Sequence, residues 1–211
     1  MSVTVTRPLR RDAELNLERI LTAAEQVFAQ LGYEASMEQV ASAAGVGVGT
    51  LYRRFPNKES LVVAIVDMAG ERSQKLIKEV QAECPASDGL FEFMRRCLKT
   101  PSNLRALVSR SPQVAETHRT NVALVAPSVE RLIGRARAAG TVRAGVTFSD
   151  IAVILMSVRS VADWCGGGVV GARQAERHLQ LLIDGLRPTD HGLPHRALSR
   201  ARLDEVLIAK I

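Results

Sequence analysis

Side chains able to bind phosphate are concentrated between residues 50 and 58. The set comprises two hydroxyls, two guanidinium groups and one ammonium, on Thr50, Tyr52, Arg53, Arg54 and Lys58. All of these groups donate hydrogen bonds to phosphate oxygens, and an arginine can also donate two to a single guanine. Their types and spacing therefore favour contact with nucleic acid.

A helix-turn-helix pattern over residues 36–55 positions these groups. Ser36 and Gln39 predict a Ser-x-x-Gln capping box at the start of a first helix. Gly45 suits the left-handed conformation in which helices end. The first helix has an apolar face formed by Met37, Val40, Ala41 and Ala44. In the second helix Leu51 and Phe55 are four residues apart and face inward, which leaves the hydroxyl and guanidinium groups facing outward.

An ordinary helical hairpin in an α-protein has the same hydrophobic pattern. The tight Ala-Gly turn and the polar end of the second helix favour DNA binding instead. The flanking chain agrees, because residues 16–32 predict a preceding helix that Gly32 ends, and Asn57 is expected to cap a following one.

Residues 16–61 carry three longer motifs: Arg-Ile-Leu-x-Ala-Ala, Phe-Ala-x-x-Gly-Tyr and Gly-Thr-Leu-Tyr-Arg-Arg-Phe-Pro-Asn-Lys-Glu-Ser-Leu. With the Ala-Gly-Val turn, they resemble the DNA-binding domain of the TetR family of bacterial transcriptional regulators. The resemblance implies a DNA-binding domain over residues 1–60 and a helical ligand-binding and dimerisation domain over 61–188. A polar, basic tail is expected over 189–211.

The resemblance also implies which residues contact DNA. The second helix, about Gly47–Phe55, is expected in the major groove, with Arg53 on phosphate or base. The implied contact positions are Ser36, Met37, Gly47, Val48, Thr50, Tyr52, Arg53, Arg54 and Lys58. Many relatives have Ser-Lys where this chain has Gly47-Val48, so Arg53 and Arg54 are expected to carry more of the base specificity. Val48 offers an apolar surface for a thymine methyl group.

Overall charge is a poor guide to the binding surface. The chain has 28 Lys and Arg against 22 Asp and Glu, a net charge of +6 and a pI near 9.7. Residues 1–60 nevertheless carry equal numbers of basic and acidic residues. Arg7, Arg10 and Arg11 predict a basic arm over residues 1–15, in which Pro8 resists helix formation. Such an arm either reaches DNA or is a solvated tail, and the sequence favours neither.

The rest of the chain predicts an all-α fold of about nine helices. The expected segments are Leu61–Ala82, Asp88–Leu98, a short turn at Ser102–Ser109, Pro112–Ala139, Phe148–Cys165 and Ala172–Leu186. Pro127 is expected to kink or split the fourth of these. Gly166–Gly168 is expected to be a flexible link, and the segment after Pro188 a loose tail with one or two amphipathic turns at Leu203–Lys210.

The last two long helices are expected to form a homodimer. Their apolar residues cover more than one side of each helix, although a monomeric core would explain the same pattern. The resemblance implies a four-helix bundle across a twofold axis. Two recognition helices in successive major grooves require such symmetry and a near-palindromic operator in double-stranded DNA.

The resemblance further implies a small-molecule effector and, as the family's usual mode, repression. Candidate pocket residues are Phe91, Met94, His118, Asn121, Val125, Met156, Arg159, Asp163 and Trp164. Phe91 and Met94 also fit a core. Arg159 and Asp163 lie at i and i+4, so they fit an ion pair within the helix or across the dimer better than polar anchors in a pocket.

Catalysis, cofactor binding and metal binding lack support. The three cysteines and four histidines show no metal-ligand spacing, and Gly166–Gly168 is not followed by the Lys-Ser/Thr of a phosphate loop. Unpaired cysteines and a charged N-terminus suggest a cytoplasmic protein without membrane contact. The alternative to a regulator is a helical protein-interaction module or a non-specific nucleic-acid binder without an inducer.

Overall fold

The computed structural model describes residues 7–99 and 107–208. Within these ranges the chain forms nine helices and no strand, as the sequence predicts. The helices are α1 Arg7–Leu31, α2 Met37–Ala44, α3 Val48–Arg54, α4 Lys58–Glu83, α5 Gly89–Lys99, α6 Pro112–Ala138, α7 Phe148–Trp164, α8 Gly168–Gly185 and α9 Arg200–Ile208.

The described residues divide into two compact units. The first unit contains residues 7–69 and 107–118, and the second contains 70–99 and 119–208. Helices α4 and α6 each contribute residues to both units. The core of the first unit is formed by apolar residues of α1 to α4, among them Ala24, Val40, Ala41, Leu51 and Leu61, none of which has measurable exposure.

The core of the second unit joins five helices. It includes Ile77 and Val80 of α4, Leu90, Phe91 and Met94 of α5, Leu132 and Ile133 of α6, Ile151 and Val158 of α7, and Leu179 and Ile183 of α8. Helices α7 and α8 approach closely at Gly171, where a Cβ atom would overlap the carbonyl oxygen of Ala162. Only glycine permits this approach of the two backbones.

The connection between α7 and α8 is a hydrogen-bonded glycine turn rather than an open flexible link. Gly166, Gly167 and Gly168 all have positive φ, at 83°, 65° and 58°. The amide of Gly167 donates to the carbonyl of Ala162 at 3.0 Å. Helix α8 consequently begins at Gly168, earlier than the predicted Ala172.

The structure corrects the predicted N-terminal arm and clarifies the role of Pro127. Helix α1 begins at Arg7, so the backbone from Arg7 onwards is helical and residues 1–6 lie outside the described part. Pro8 is accommodated because the first helical turn needs no amide donor. Pro127 does not split α6, which continues from Pro112 to Ala138. Residues 107 and 108 are helical, and residues 102–106 of the predicted turn lie outside the described residues.

The segment after Pro188, expected to be loose, packs on the second unit. The Arg143 guanidinium donates to the His191 carbonyl, and the Arg200 guanidinium lies 5.6 Å from the centre of the Phe148 ring. Leu203 of α9 has no measurable exposure. Leu203 thus anchors the segment, although the polar composition of the segment does not reveal this.

Candidate nucleic-acid interface

The start of α2 is fixed by reciprocal hydrogen bonds. The Gln39 amide donates to Ser36 Oγ at 3.2 Å, and the Ser36 amide donates to Gln39 Oε1 at 2.7 Å. This is the predicted capping box. At the other end Gly45 has φ of 63°, and the Val46 amide donates to the Ala41 carbonyl at 3.0 Å. The backbone entering α3 is therefore set by local bonds at both ends of α2.

Helix α3 is oriented by two inward side chains. Leu51 has no measurable exposure and Phe55 is 6% exposed, whereas Tyr52 is 42% exposed. Arg53 and Arg54 are exposed and Thr50 is half-buried. Val48 is 37% exposed and follows Gly47, which has no side chain with which to cap the helix. The outward side therefore presents the predicted hydroxyl and guanidinium groups on one short helix.

Lys58 is held at the start of α4 by Tyr33. Its ammonium donates to the Tyr33 carbonyl at 2.9 Å and lies 5.0 Å from the centre of the Tyr33 ring. The Arg110 guanidinium lies 5.6 Å from the same ring. An ammonium has three donors, so Lys58 can bind a phosphate while keeping this bond. Tyr33 ends the quoted Phe-Ala-x-x-Gly-Tyr motif, whereas Arg110 has no sequence signal.

Glu38 brings a carboxylate to this surface. The Tyr52 hydroxyl donates to Glu38 Oε1 at 3.5 Å. The backbone amide of Glu38 is the largest cause of a pKa of the carboxyl below its ordinary value, and the Ser36 side chain is the next. Burial opposes this shift, and the Tyr52 hydroxyl makes the smallest contribution to it. Glu38 gives no signal of DNA binding in the sequence, because acidic side chains are not phosphate donors.

One predicted contact residue is less accessible than the sequence suggested. The Met37 side chain is 5% exposed and belongs to the core, so a contact with phosphate would fall to its backbone amide. Arg53, Arg54 and Thr50 border a depression of about 280 Å³ whose other wall is formed by Asn16, Leu17 and Ile20 of α1. The two arginines therefore lie beside α1 as well as on the outward side of α3.

The nine candidate effector residues do not form one site. Phe91 is 2% exposed and Met94 is fully buried, both in the core, and Val125 packs against that core. Met156 is half-buried, and Trp164 is 88% exposed. His118 is half-buried and belongs to the first unit. None of these six residues lines the groove between α5, α7 and α8.

The polar candidates have separate surroundings. The Asn121 side chain lies against Gly70, where an added Cβ would be 2.6 Å from Asn121 Cγ. Arg159 donates to the Cys97 carbonyl at 2.7 Å. Asp163 is exposed and lines a groove of about 860 Å³ between α5, α7 and α8. The remaining charged lining residues were not predicted: Glu92, Arg95, Lys99 and Glu176.

Among residues 7–99 and 107–208, no group of three or more His, Cys, Asp or Glu side chains is arranged to hold a metal ion. In the same part of the chain, no helix combines the length and apolar character needed to cross a membrane.

Two family models match this chain. "Bacterial regulatory proteins, tetR family" matches residues 20–65, which contain α2 and α3. "Transcriptional regulator SbtR-like, C-terminal domain" matches residues 85–188. The first match thus covers the candidate interface, and the second covers most of the second unit.

Solved structures are similar over most of the chain. The crystal structure of a TetR transcription regulatory protein from Mycobacterium vanbaalenii is 32% identical, with a TM-score of 0.61, and the match covers 86% of this chain and 100% of that one. A TetR transcriptional regulator from Streptomyces coelicolor is 30% identical, with a TM-score of 0.59, covering 82% and 99%.

Curated relatives match over shorter lengths. A helix-turn-helix transcriptional regulator of Staphylococcus aureus strain MRSA252 is 41% identical over 80 residues, which are 36% of this chain and 41% of the relative. The regulator UidR of Escherichia coli K12 is 30% identical over 115 residues, or 51% and 59%. This chain therefore spans less than two thirds of the length of these curated relatives.

Proposed function

The chain belongs to the TetR family of bacterial regulatory proteins, and from this premise we propose that it is a dimeric repressor released from a near-palindromic operator by a small-molecule effector. Family members are transcriptional regulators and not enzymes. Because the proposed partner is chromosomal DNA, the proposed location is the cytoplasm.

The observation that carries the DNA-binding proposal is the outward side of α3. Inward Leu51 and Phe55 leave Thr50, Tyr52 and Arg53 facing away from the core, at the end of a capped helix-turn-helix. In this proposal Tyr52, Thr50 and Lys58 bind phosphates, and Arg53 reads a base edge in the major groove. Arg54 and the Gly47–Val48 backbone complete the contact surface, with Ser36 and the Met37 amide at the start of α2.

Exposed apolar residues support a dimer through α7 and α8. They are Val153 and Trp164 of α7 and Val169, Val170 and Leu181 of α8, with exposures from 39% to 88%. An apolar surface of this kind on a single chain usually marks a contact with another protein. Two recognition helices on one operator require two copies of the chain, so a second copy is the proposed partner at this surface.

The groove between α5, α7 and α8 supports the effector part of the proposal. Its floor includes the buried residues Ala175, Leu179 and Ile183, and its rim carries charged side chains of both signs. An apolar floor with a few polar groups is the usual composition of a small-molecule site.

DNA binding is tested with duplexes from upstream of the chain's own gene, by fluorescence anisotropy at several salt concentrations. Lys58→Ala should weaken binding to all sequences and reduce the magnitude of the salt slope by about 1. Arg53→Ala should cost about 1–3 kcal/mol and change the preference at one base position. Uniform weakening by Arg53→Ala would contradict base reading.

The dimer is tested with a matched pair of variants. Leu181 and Leu124 are 60% and 59% exposed, and only Leu181 lies on α8. Leu181→Glu should give a monomeric mass by sedimentation and lose operator affinity, because a charge is placed in an apolar contact. Leu124→Glu should remain dimeric. A dimer in both variants would place the interface elsewhere.

The effector is tested by thermal-shift screening of small molecules, followed by operator binding. A true effector raises the melting temperature and weakens operator binding, since the two ligands favour different states. Asp163→Asn should alter the response to such a molecule without altering operator affinity in its absence. A hit that stabilises the protein but leaves operator binding unchanged would argue against release.

A further inference from the structure

Glu38 places a carboxylate among the side chains proposed to bind DNA phosphates. It is exposed and is the second residue of α2. Its Oε1 accepts a hydrogen bond from the Tyr52 hydroxyl at 3.5 Å. One of the proposed phosphate donors therefore already has an anionic acceptor within the protein.

The position of the carboxylate is one that favours any anion. Amides in the first turn of a helix have no partner within the helix, and the helix dipole places partial positive charge there. The backbone amide of Glu38 is the largest cause of the lowered pKa of its carboxyl. The same features attract phosphate to helix N-termini. The Glu38 carboxylate and a DNA phosphate are therefore both attracted to the partial positive charge at the start of α2, and they compete for that position.

We propose that Glu38 is an internal competitor that limits DNA affinity by holding the Tyr52 hydroxyl in the free protein. This inference rests on the proposed DNA-binding function. When DNA binds, the Tyr52 hydroxyl exchanges the carboxylate for a phosphate oxygen, and the Glu38 charge remains close to the bound phosphate. Because phosphates are the same in every duplex, the effect applies equally to operator and unrelated DNA.

The separation of the charges sets the size of the effect. A phosphate oxygen bonded to Tyr52 lies within roughly 6 Å of Glu38 Oε1, given an ordinary hydroxyl bond of about 2.7 Å added to the observed 3.5 Å. Repulsion at that distance beside solvent corresponds to about three- to tenfold in affinity at low salt. The factor becomes smaller as salt is raised, because the group is exposed.

Glu38→Gln is the direct test, since the amide oxygen still accepts a bond from Tyr52 while the charge is lost. Dissociation constants for an operator duplex and an unrelated duplex should both tighten by about three- to tenfold at low salt. Damage to the fold cannot produce this result, because a distorted α2 would weaken binding. Unchanged or weaker binding by Glu38→Gln, with normal binding by the unaltered protein, would overturn the inference.

Glu34→Gln is the matched control for net charge. Glu34 is exposed, lies four residues earlier, and has no hydrogen bond to Tyr52 within the described structure. The Glu34→Gln variant should bind DNA only slightly more tightly than the unaltered protein, and less tightly than Glu38→Gln does. Equal tightening by the two variants would mean that general charge, not competition at Tyr52, is responsible.

Tyr52→Phe completes a double-mutant cycle. Without the Tyr52 hydroxyl there is less for Glu38 to compete for, so Glu38→Gln should give a smaller gain in the Tyr52→Phe background. An undiminished gain in that background would contradict competition for the hydroxyl. If the unaltered protein binds no duplex at all, the proposed function fails along with this inference.

Discussion

The α2–α3 region and the α5–α7–α8 region differ in how far apart in sequence their hydrogen-bonded residues lie. In the first, Ser36 and Gln39 bond across three residues, and Tyr52 bonds to Glu38 on the adjacent helix. In the second, Arg159 bonds to the carbonyl of Cys97, and Arg95 bonds to Gln180 at 3.4 Å. Local spacing therefore defines the DNA-binding surface, whereas tertiary packing defines the groove.

The largest expected effect is the loss of stability when either of two fully buried leucines is truncated. Leu51 lies in α3 and Leu203 in α9, and neither is measurably exposed. Each change to alanine should lower the free energy of unfolding of its own unit by about 2–5 kcal/mol, because it leaves a cavity. Denaturant unfolding followed by circular dichroism measures the loss. Leu51→Ala should also abolish operator binding, since Leu51 orients α3.

Leu198→Ala is the control for the C-terminal segment. Leu198 is 42% exposed and lies close to Leu203 in sequence, so its truncation should change stability by less than about 0.5 kcal/mol. If Leu203→Ala were equally mild, the segment after Pro188 would be loose in solution, as the sequence alone suggested.

The features that the sequence predicts correctly are those determined by residues close together in the chain. The capping box, the glycine stop and the inward Leu51 all follow from residue type and spacing within α2 and α3. The start of α1 at Arg7 was missed because Pro8 was interpreted as a helix breaker, although a first-turn proline is tolerated. The same local reasoning cannot detect Arg110, whose place beside Tyr33 depends on the tertiary fold.

Gly171 and Gly134 are a second pair with opposite expected outcomes. A Cβ at Gly171 would overlap the Ala162 carbonyl oxygen, while a Cβ at Gly134 would meet nothing within 4 Å. Gly171→Ala should destabilise the second unit by about 1–3 kcal/mol through overpacking of α7 and α8. Gly134→Ala should stabilise it by about 0.5–1 kcal/mol, because alanine favours the helix. Thermal melts of both variants distinguish the two effects.

The candidate effector residues show why a groove is harder to predict than a recognition helix. The resemblance implies that Met94 and Asp163 line a pocket, but an apolar or polar residue type on a helix does not distinguish core from groove. Met94 is in the core because α5 packs on α7 and α8, while Asp163 reaches the groove rim. Such a distinction depends on how three helices pack, and no spacing along one helix contains it.

Removal of a helix cap should have a smaller effect on stability, and each of the two regions contains such a cap. Ser36 caps α2, and Thr147 precedes α7, where its amide and hydroxyl both donate to Asp150 Oδ2, at 2.8 and 2.9 Å. Ser36→Ala and Thr147→Ala should each cost about 1 kcal/mol of stability. Only Ser36→Ala should also change operator affinity, measured by anisotropy on folded protein. An equal loss of affinity in both would indicate that stability alone governs binding.

The smallest expected effect is a difference in reactivity among the three cysteines. All three lie in the second unit, where packing defines the surroundings of each side chain. Desolvation raises the pKa of the Cys97 thiol to about 12, against the opposing charge of Arg159. Because the thiolate is the reactive form, Cys97 should react with a maleimide more slowly at pH 8 than Cys84 or Cys165 does. Mass spectrometry of digested protein over a time course measures the three rates. Addition of denaturant should equalise them, since unfolding exposes every thiol. Labelling of Cys97 at the rate of the others in native protein would show that α5 opens readily from α7, and that the groove beside it is not a fixed site.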